Sequence, residues 1–161
     1  MKTDSPFANR VRVRSCAIVV RDDHLLLVKQ HVPTRDHPIW LIPGGLVKLQ
    51  ESCAAAAMRE LREETGIEAE SPRLRYLHEF RQPPFHAIEF YFVAGYRSGT
   101  PSIGTDPEFR SADQPFLDSR FIPLAEAAAL ELHPTFLKND IQNGTLLTNR
   151  VDHHQSDAPI S

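Results

Sequence analysis

Glu60, Glu63 and Glu64 stand at i, i+3 and i+4 in the stretch M-R-E-L-R-E-E-T-G. At about 100° per residue they share one helix face. Ala54, Ala57, Met58, Leu61 and Thr65 share a neighbouring, mostly apolar face that suits a core. The first face therefore points three carboxylates into one small volume. Like charges so close repel, and a divalent cation that seeks oxygen ligands relieves the repulsion. Arg59, adjacent to Glu60 and i, i+4 to Glu63, suits an orienting role through paired hydrogen bonds to carboxylates. Taken alone, an E-L-R-E-E segment is more ordinarily a solvated helix surface.

The carboxylates need a helix to space them and a backbone to meet them. The helix is expected from about Glu51 to Thr65. Glu51 and Ser52 suit its positive end, and Gly66 supplies the stop. Glu51 stabilises that end with or without a part in chemistry, and both readings stay open. Before it, Trp40-Leu41-Ile42 is a short apolar stretch stopped by Pro43-Gly44-Gly45, where missing side chains allow close backbone approach. Further upstream, Val11–Val20 and Leu25–Lys29 flank Arg21-Asp22-Asp23-His24 and read as a hairpin. Downstream, Leu74–Phe80 and the aromatic, β-branched run His86–Tyr96 read as strands separated by Gln82-Pro83-Pro84. Ser98–Gln114 is a long loop, a length usually tied to function or mobility. A short strand within Leu117–Pro123, an Ala-rich helix Leu124–Leu130 and a last helix from Pro134 to Gly144 follow.

The 161 residues suffice for one domain with a real core. Hydrophobic residues make up 41% and charged residues 24%, with net charge −3; the balance gives no basic footprint for duplex nucleic acid. No apolar run approaches a membrane span, and the first ten residues contain no apolar signal region. Cys16 and Cys53 read as reduced, unpaired thiols, which suits a cytoplasmic location. The expected organisation is a flexible N-terminus 1–9, one domain 10–147, and a disordered tail 148–161. Strand and helix patterns alternate as in a mixed sheet with helices on both faces.

Gly45, Glu51, Arg59-Glu60-Leu61, Glu63-Glu64 and Gly66-Ile67 have the spacing of the Nudix box, and the chain resembles the Nudix hydrolases. The resemblance runs from about Val11 to Pro134 and includes the hairpin, Trp40-x-x-Pro43-Gly44-Gly45 and the late Arg120–Leu124 segment. It implies an α/β/α sandwich around a mixed central sheet, the box forming a loop–helix–loop. It also implies hydrolysis of a nucleoside diphosphate linked to another moiety. Glu60 and Glu64 would be principal magnesium ligands, with manganese a substitute. The Gly44 carbonyl would join them, and Glu63 would support a second ion or polarise water.

The family often adds a carboxylate from outside the box. Asp106, Glu108, Asp113 and Asp118 in or after the long loop, and Glu89 in the preceding strand, are the candidates. Trp40, Phe80, Phe85, His86 and Phe90 are aromatic candidates for stacking a base, and Arg81 and Arg97 for meeting phosphate; core packing and solvent exposure are the competing readings. Pro83 and Pro84, 16 and 17 residues beyond Ile67, resemble the ADP-ribose-acting subgroup. ADP-ribose or nucleotide sugars are thus favoured over nucleoside triphosphates. A homodimer is compatible with the family. The alternatives are a non-catalytic nucleotide sensor on the same fold, which usually loses box glutamates, and an isoprenoid diphosphate isomerase, which needs a reactive cysteine.

Overall fold

A computed structural model of the chain describes residues 5–104, 110 and 113–157. The first hairpin joins β1 (Val11–Arg21) to β2 (His24–Gln30). Its two-residue turn, Asp22-Asp23, has φ of 48° and 59°. Two positive φ values are the pattern of a type I′ turn, whose twist matches the flanking strands. Two short strands, β3 (Ile39–Leu41) and β4 (Gly44–Leu46), lead into α1 (Cys53–Thr65). A long antiparallel pair follows, β5 (Glu68–Gln82) and β6 (Phe85–Ser98). The chain continues with β7 (Phe116–Pro123), α2 (Leu124–Ala127), β8 (Leu132–His133), α3 (Phe136–Gln142) and β9 (Asp152–Asp157).

The described strands form one mixed sheet in the order β8-β3-β2-β1-β6-β5-β9, with β4 also on β1 and β7 also on β2. β1 is the seam. Its residues 11–19 run parallel to β6, whereas Val20 and Arg21 pair with β2. The sheet curls about this seam. Alternate residues of β1 serve opposite faces, as strand geometry requires. Ala17 and Val19 pack with Leu26, Phe92 and the Ala57 and Leu61 face of α1. Cys16 and Ile18 pack on the other face with Tyr76, Tyr91, Leu132 and Leu137, toward α2 and α3. This is the α/β/α layering expected from the sequence, with fewer helical residues on the second face.

The helix carrying the carboxylates is capped at both ends. The Ser52 hydroxyl accepts from Ala55 N–H at 3.1 Å. Gly66, at φ 75°, returns its N–H to the Arg62 carbonyl. The left-handed conformation there is one a side chain would strain. Beyond the cap, Ser102 N–H donates to Thr65 O and Gly104 N–H to Glu64 O, both at 2.9 Å.

The terminal segments carry hydrogen-bonded structure where they are described. Residues 6–9 form a turn, and Asn9 N–H donates to Pro84 O at 2.8 Å. At 152–157, within the segment expected to be a disordered tail, β9 pairs in parallel with β5 from Tyr76↔Asp152 to Arg81↔Asp157. Its sequence D-H-H-Q-S-D carries no apolar pattern. It is held by polar groups of β5 instead, with Arg75 donating to Asp152 Oδ2 at 2.7 Å and Arg81 to Asp157 Oδ1 at 2.8 Å.

Candidate active site

The glycines meet the helix through their missing side chains. Gly44 N–H donates to Glu64 Oε2 at 3.1 Å. A Cβ placed on Gly45 would lie 2.5 Å from the Glu60 carboxyl carbon, so no other residue fits without moving that carboxylate. One on Gly44 would collide with Cys16 and the Ser15 carbonyl. Pairing of β4 with β1 at Ser15↔Gly45 and Cys16↔Gly44 sets this approach.

Arg59 gathers the remaining acids. Its Nε and Nη2 donate to the two Glu51 oxygens at 2.7 and 3.0 Å, a bidentate pair. Its Nη1 donates to Glu60 Oε1 at 2.7 Å and Glu63 Oε2 at 3.1 Å, and Nη2 also reaches the Leu46 carbonyl at 3.0 Å. The Arg59 hydrogen bonds hold the Glu51 carboxyl down at about 2, against the cost of its partial desolvation. Glu51 in turn pushes the guanidinium pKa up. Glu51 therefore lies at N′ of the helix and clamps the arginine that spaces Glu60 and Glu63. Arg59 and Lys48 bring two positive charges to three carboxylates, so this cluster is under-neutralised.

Glu60, Glu64, Gly44 and Gly45 border a cavity of about 580 Å³. Such a volume suits a small-molecule ligand. The lining also includes Arg14 and Glu89 and the rings of Phe80, Phe85 and Phe116. Of the candidate base-stacking aromatics, Phe80 and Phe85 line the cavity. Trp40 does not. It is buried in the core cluster beneath the second face, with Lys29 and Arg120 over its ring at 5.7 and 5.3 Å. Arg81 also points elsewhere, half exposed and paired with Asp157. His86 bonds Glu79 across the β5–β6 pair at 3.0 Å, and neither it nor Phe90, which packs toward α1, lines the cavity.

The candidate extra carboxylates separate similarly. Asp106 and Glu108 lie outside the described residues. Asp113 is exposed, and Asp118 pairs with Arg120 at 3.0 Å away from the cavity. Glu89 does line it, buried between Arg14 Nη1 at 2.5 Å and His78 Nδ1 at 2.9 Å. Burial raises its carboxyl pKa, but the charge of Arg14 and the His78 hydrogen bond outweigh burial and leave it below the usual carboxylate range. A carboxylate so stabilised is a weak proton acceptor.

Arg14, His78 and Ser156 are cavity residues that the sequence reading did not single out. A local signal existed for one pair. Counting outward from the Pro83-Pro84 turn places His78 directly opposite Glu89, which the register confirms.

The donors at the cavity edge are carboxylate and carbonyl oxygens, the set a hard divalent cation takes. The missing Cβ of Gly45 lets the Glu60 carboxylate press against the backbone there. Magnesium thus fits Glu60, Glu64 and the Gly44 carbonyl. Glu60 and Glu63 share Arg59 Nη1, which keeps their carboxylates close together. Glu63 leans on Arg59 and does not line the cavity, and no group of three or more His, Cys, Asp or Glu with metal-holding geometry occurs among the described residues.

A mixed sheet whose glycine-lined edge presses against a carboxylate-bearing helix defines a class, and sequence comparison names it. A family model described as the NUDIX domain matches residues 10–140, and the chain belongs to the Nudix family. It is 37% identical over 82 residues to the CTP pyrophosphohydrolase of Escherichia coli (strain K12), a match covering 44% of this chain and 61% of that protein. It is 32% identical over 123 residues to the CMP-5'-(N-acetyl-N-hydroxy-3-aminopropyl)phosphonate hydrolase of Streptomyces rubellomurinus (strain ATCC 31215), covering 74% of this chain and 56% of that protein. The matches thus span less than two thirds of either relative's own length. The crystal structure of the MutT NUDIX hydrolase from Burkholderia pseudomallei is similar, with a TM-score of 0.61 and 27% identity over 72% of this chain and 85% of that one. No helix among the described residues is long and apolar enough to cross a membrane.

Proposed function

We propose that this chain is a magnesium-dependent pyrophosphohydrolase that cleaves a nucleoside diphosphate linked to another moiety, with ADP-ribose or a nucleotide sugar favoured. The observation that carries the reading is the shared cavity, whose lining includes Glu60 and Glu64 together with Phe80, Phe85 and Phe116. The acids suit a metal-bridged pyrophosphate and the rings an apolar or stackable group. Glu60, Glu64 and the Gly44 carbonyl hold the ion. When bound, it offsets charge on the pyrophosphate oxygens and makes a water more acidic. Arg59 keeps Glu60 and Glu63 oriented, while Gly44 N–H fixes one Glu64 oxygen. Phe85, nine-tenths or more buried, offers a fixed stacking face. The relatives named above carry different substrates in their names, CTP and a CMP-linked phosphonate. They support the shared chemistry more strongly than any one leaving group.

A magnesium-dependent turnover screen, read by chromatography of the nucleotide and phosphomonoester products, tests the reading against ADP-ribose, nucleotide sugars, dinucleoside polyphosphates and nucleoside triphosphates. The expected result is preference for a diphosphate-linked compound. Preference for a triphosphate overturns the substrate assignment. No turnover, with ligand-induced thermal shifts, favours a sensor. With the best substrate, Glu64→Gln is expected to lower kcat by about a thousandfold, the scale of about 4 kcal/mol of lost transition-state stabilisation. Its melting temperature should stay near that of the parent. Parental turnover by this variant removes Glu64 from the site.

A further inference from the structure

The residues that close the cavity do not all come from the part of the chain that matches the family. Ser156 lies on β9, beyond residue 140, yet it lines the cavity. Its hydroxyl is 2.8 Å from His78 Nε2. His78 Nδ1 is 2.9 Å from Glu89 Oε1. The other Glu89 oxygen accepts from Arg14 Nη1 at 2.5 Å. Arg14 Nη2 then reaches the Gly44 carbonyl at 3.3 Å. An ionised Glu89 accepts only, so His78 Nδ1 donates to it. The contacts run in series from Ser156 to Arg14, with the Tyr91 hydroxyl also reaching Glu89 Oε1 at 3.5 Å.

The far member carries the consequence. Arg14 is mostly buried but lines the cavity, and its contact with Gly44 is long for a guanidinium–carbonyl hydrogen bond. A phosphate oxygen is a stronger partner for a guanidinium than a neutral carbonyl. A carbonyl that ligates a cation also has less to offer a guanidinium, since the two positive charges compete for it. Arg14 is therefore held by its Glu89 side, with Nη2 weakly engaged beside the metal-ligating edge.

We propose that Ser156, acting through His78 and Glu89, positions Arg14 to bind the substrate's diphosphate, so that the C-terminal strand β9 sets phosphate affinity. This inference rests on the hydrolase reading only for the word substrate; the anion site stands on the contacts above. Ser156 is a positioning residue, and Arg14 is the group that touches the anion. β9 is placed for this by its pairing with β5, where His78 and His154 occupy the same register position and Ser156 pairs with Phe80.

Methylenebisphosphonate, a diphosphate without base or scissile anhydride, is the probe. It is titrated calorimetrically into the full chain in the presence of magnesium. Ser156→Ala is expected to weaken binding about tenfold, or 1.4 kcal/mol. Ser156→Thr, which keeps the hydroxyl, restores it. Arg14→Ala abolishes binding, and Arg14→Lys recovers it partly. On the best substrate, Ser156→Ala raises KM and leaves kcat within about twofold, the signature of binding lost equally in ground and transition states. Melting temperatures of the two Ser156 variants separate this from loss of β9. Parental probe affinity in Ser156→Ala, or in Arg14→Ala, overturns the proposal. If no nucleotide is hydrolysed but the probe binds with this dependence, the hydrolase reading fails and the anion site stands; if hydrolysis occurs without it, only the positioning role fails.

Discussion

Arg59 and Arg75 each gather carboxylates, and they do so to opposite ends. Arg59 sits on α1 among acids close in sequence, Glu51, Glu60 and Glu63. Counting Lys48, two positive charges meet three negative ones, at a site open to the cavity edge. Arg75 sits on β5, fully buried, and its partners are 65 and 77 residues away, Asp140 and Asp152. It also donates to the carbonyls of Thr145, Leu146 and Arg150 and stacks its guanidinium over Tyr76 at 4.0 Å. Arg150 pairs with Asp152 as well, so charge there is nearly balanced. The first arginine leaves negative charge over and can gain from a cation. The second uses its donors to fasten the C-terminal segment to the sheet. An arginine among acids is thus informative only when its charge is counted and the sequence separation of its partners is known.

The largest effect should come from breaking the balanced cluster. Arg75→Met leaves Asp140 without its cationic partner and Asp152 with Arg150 alone, and is expected to cost about 3–5 kcal/mol. That is roughly 10 °C in melting temperature for a chain this size. Hydrogen exchange should show the β9 amides unprotected first. Unchanged protection there would falsify the fastening role.

Crowding the unbalanced cluster should do less to stability and more to turnover. Gly45→Ala places a methyl against the Glu60 carboxylate and should cost about 1–3 kcal/mol by overpacking. Magnesium-dependent activity should drop far more than for a neutral surface change, with β9 exchange as in the parent. Parental activity in Gly45→Ala would show that the Glu60 position is not critical.

The smallest effect is a pH dependence confined to the fastened side. His154 stacks on Phe136 at 4.0 Å and 4°, beside Tyr76. Burial lowers its pKa below 6.5; Asp152 and Asp140 oppose this, and His78 and Arg75 add to it. The folded state therefore favours the neutral ring. Its contribution is complete above about 6.5 and is lost as pH falls from there through the folded pKa. Thermal melts of His154→Phe should lack the part of the pH dependence that the parent shows in that window. Identical profiles would remove His154 as its source.

The site's helix was legible because its determinants are local. A 3.6-residue apolar period, a serine cap, a glycine stop and acids at i, i+3 and i+4 lie within Ser52–Gly66. The Gly-Gly approach was legible in kind, since only missing side chains admit such contact. β9 was not legible: its residues alternate no apolar side chains, and its partners are more than 70 residues upstream. Trp40 misled because an aromatic on a strand carries the same local signal in a core as beside a ligand. Arg14 was hidden among the alternating arginines of β1, where only burial of Glu89 on the neighbouring strand distinguishes it from Arg12.

Helices ordinarily fray from their last turn, and Glu64 sits in that turn of α1. Here the fraying end is stitched shut from outside. The carbonyls of Glu64 and Thr65 accept from Gly104 and Ser102, and the Gly66 cap closes Arg62. Local opening of the last turn must break contacts to a segment nearly forty residues downstream. The separation between the Glu60 and Glu64 carboxylates is therefore pre-set before any ligand arrives, with little ordering entropy left to lose on binding.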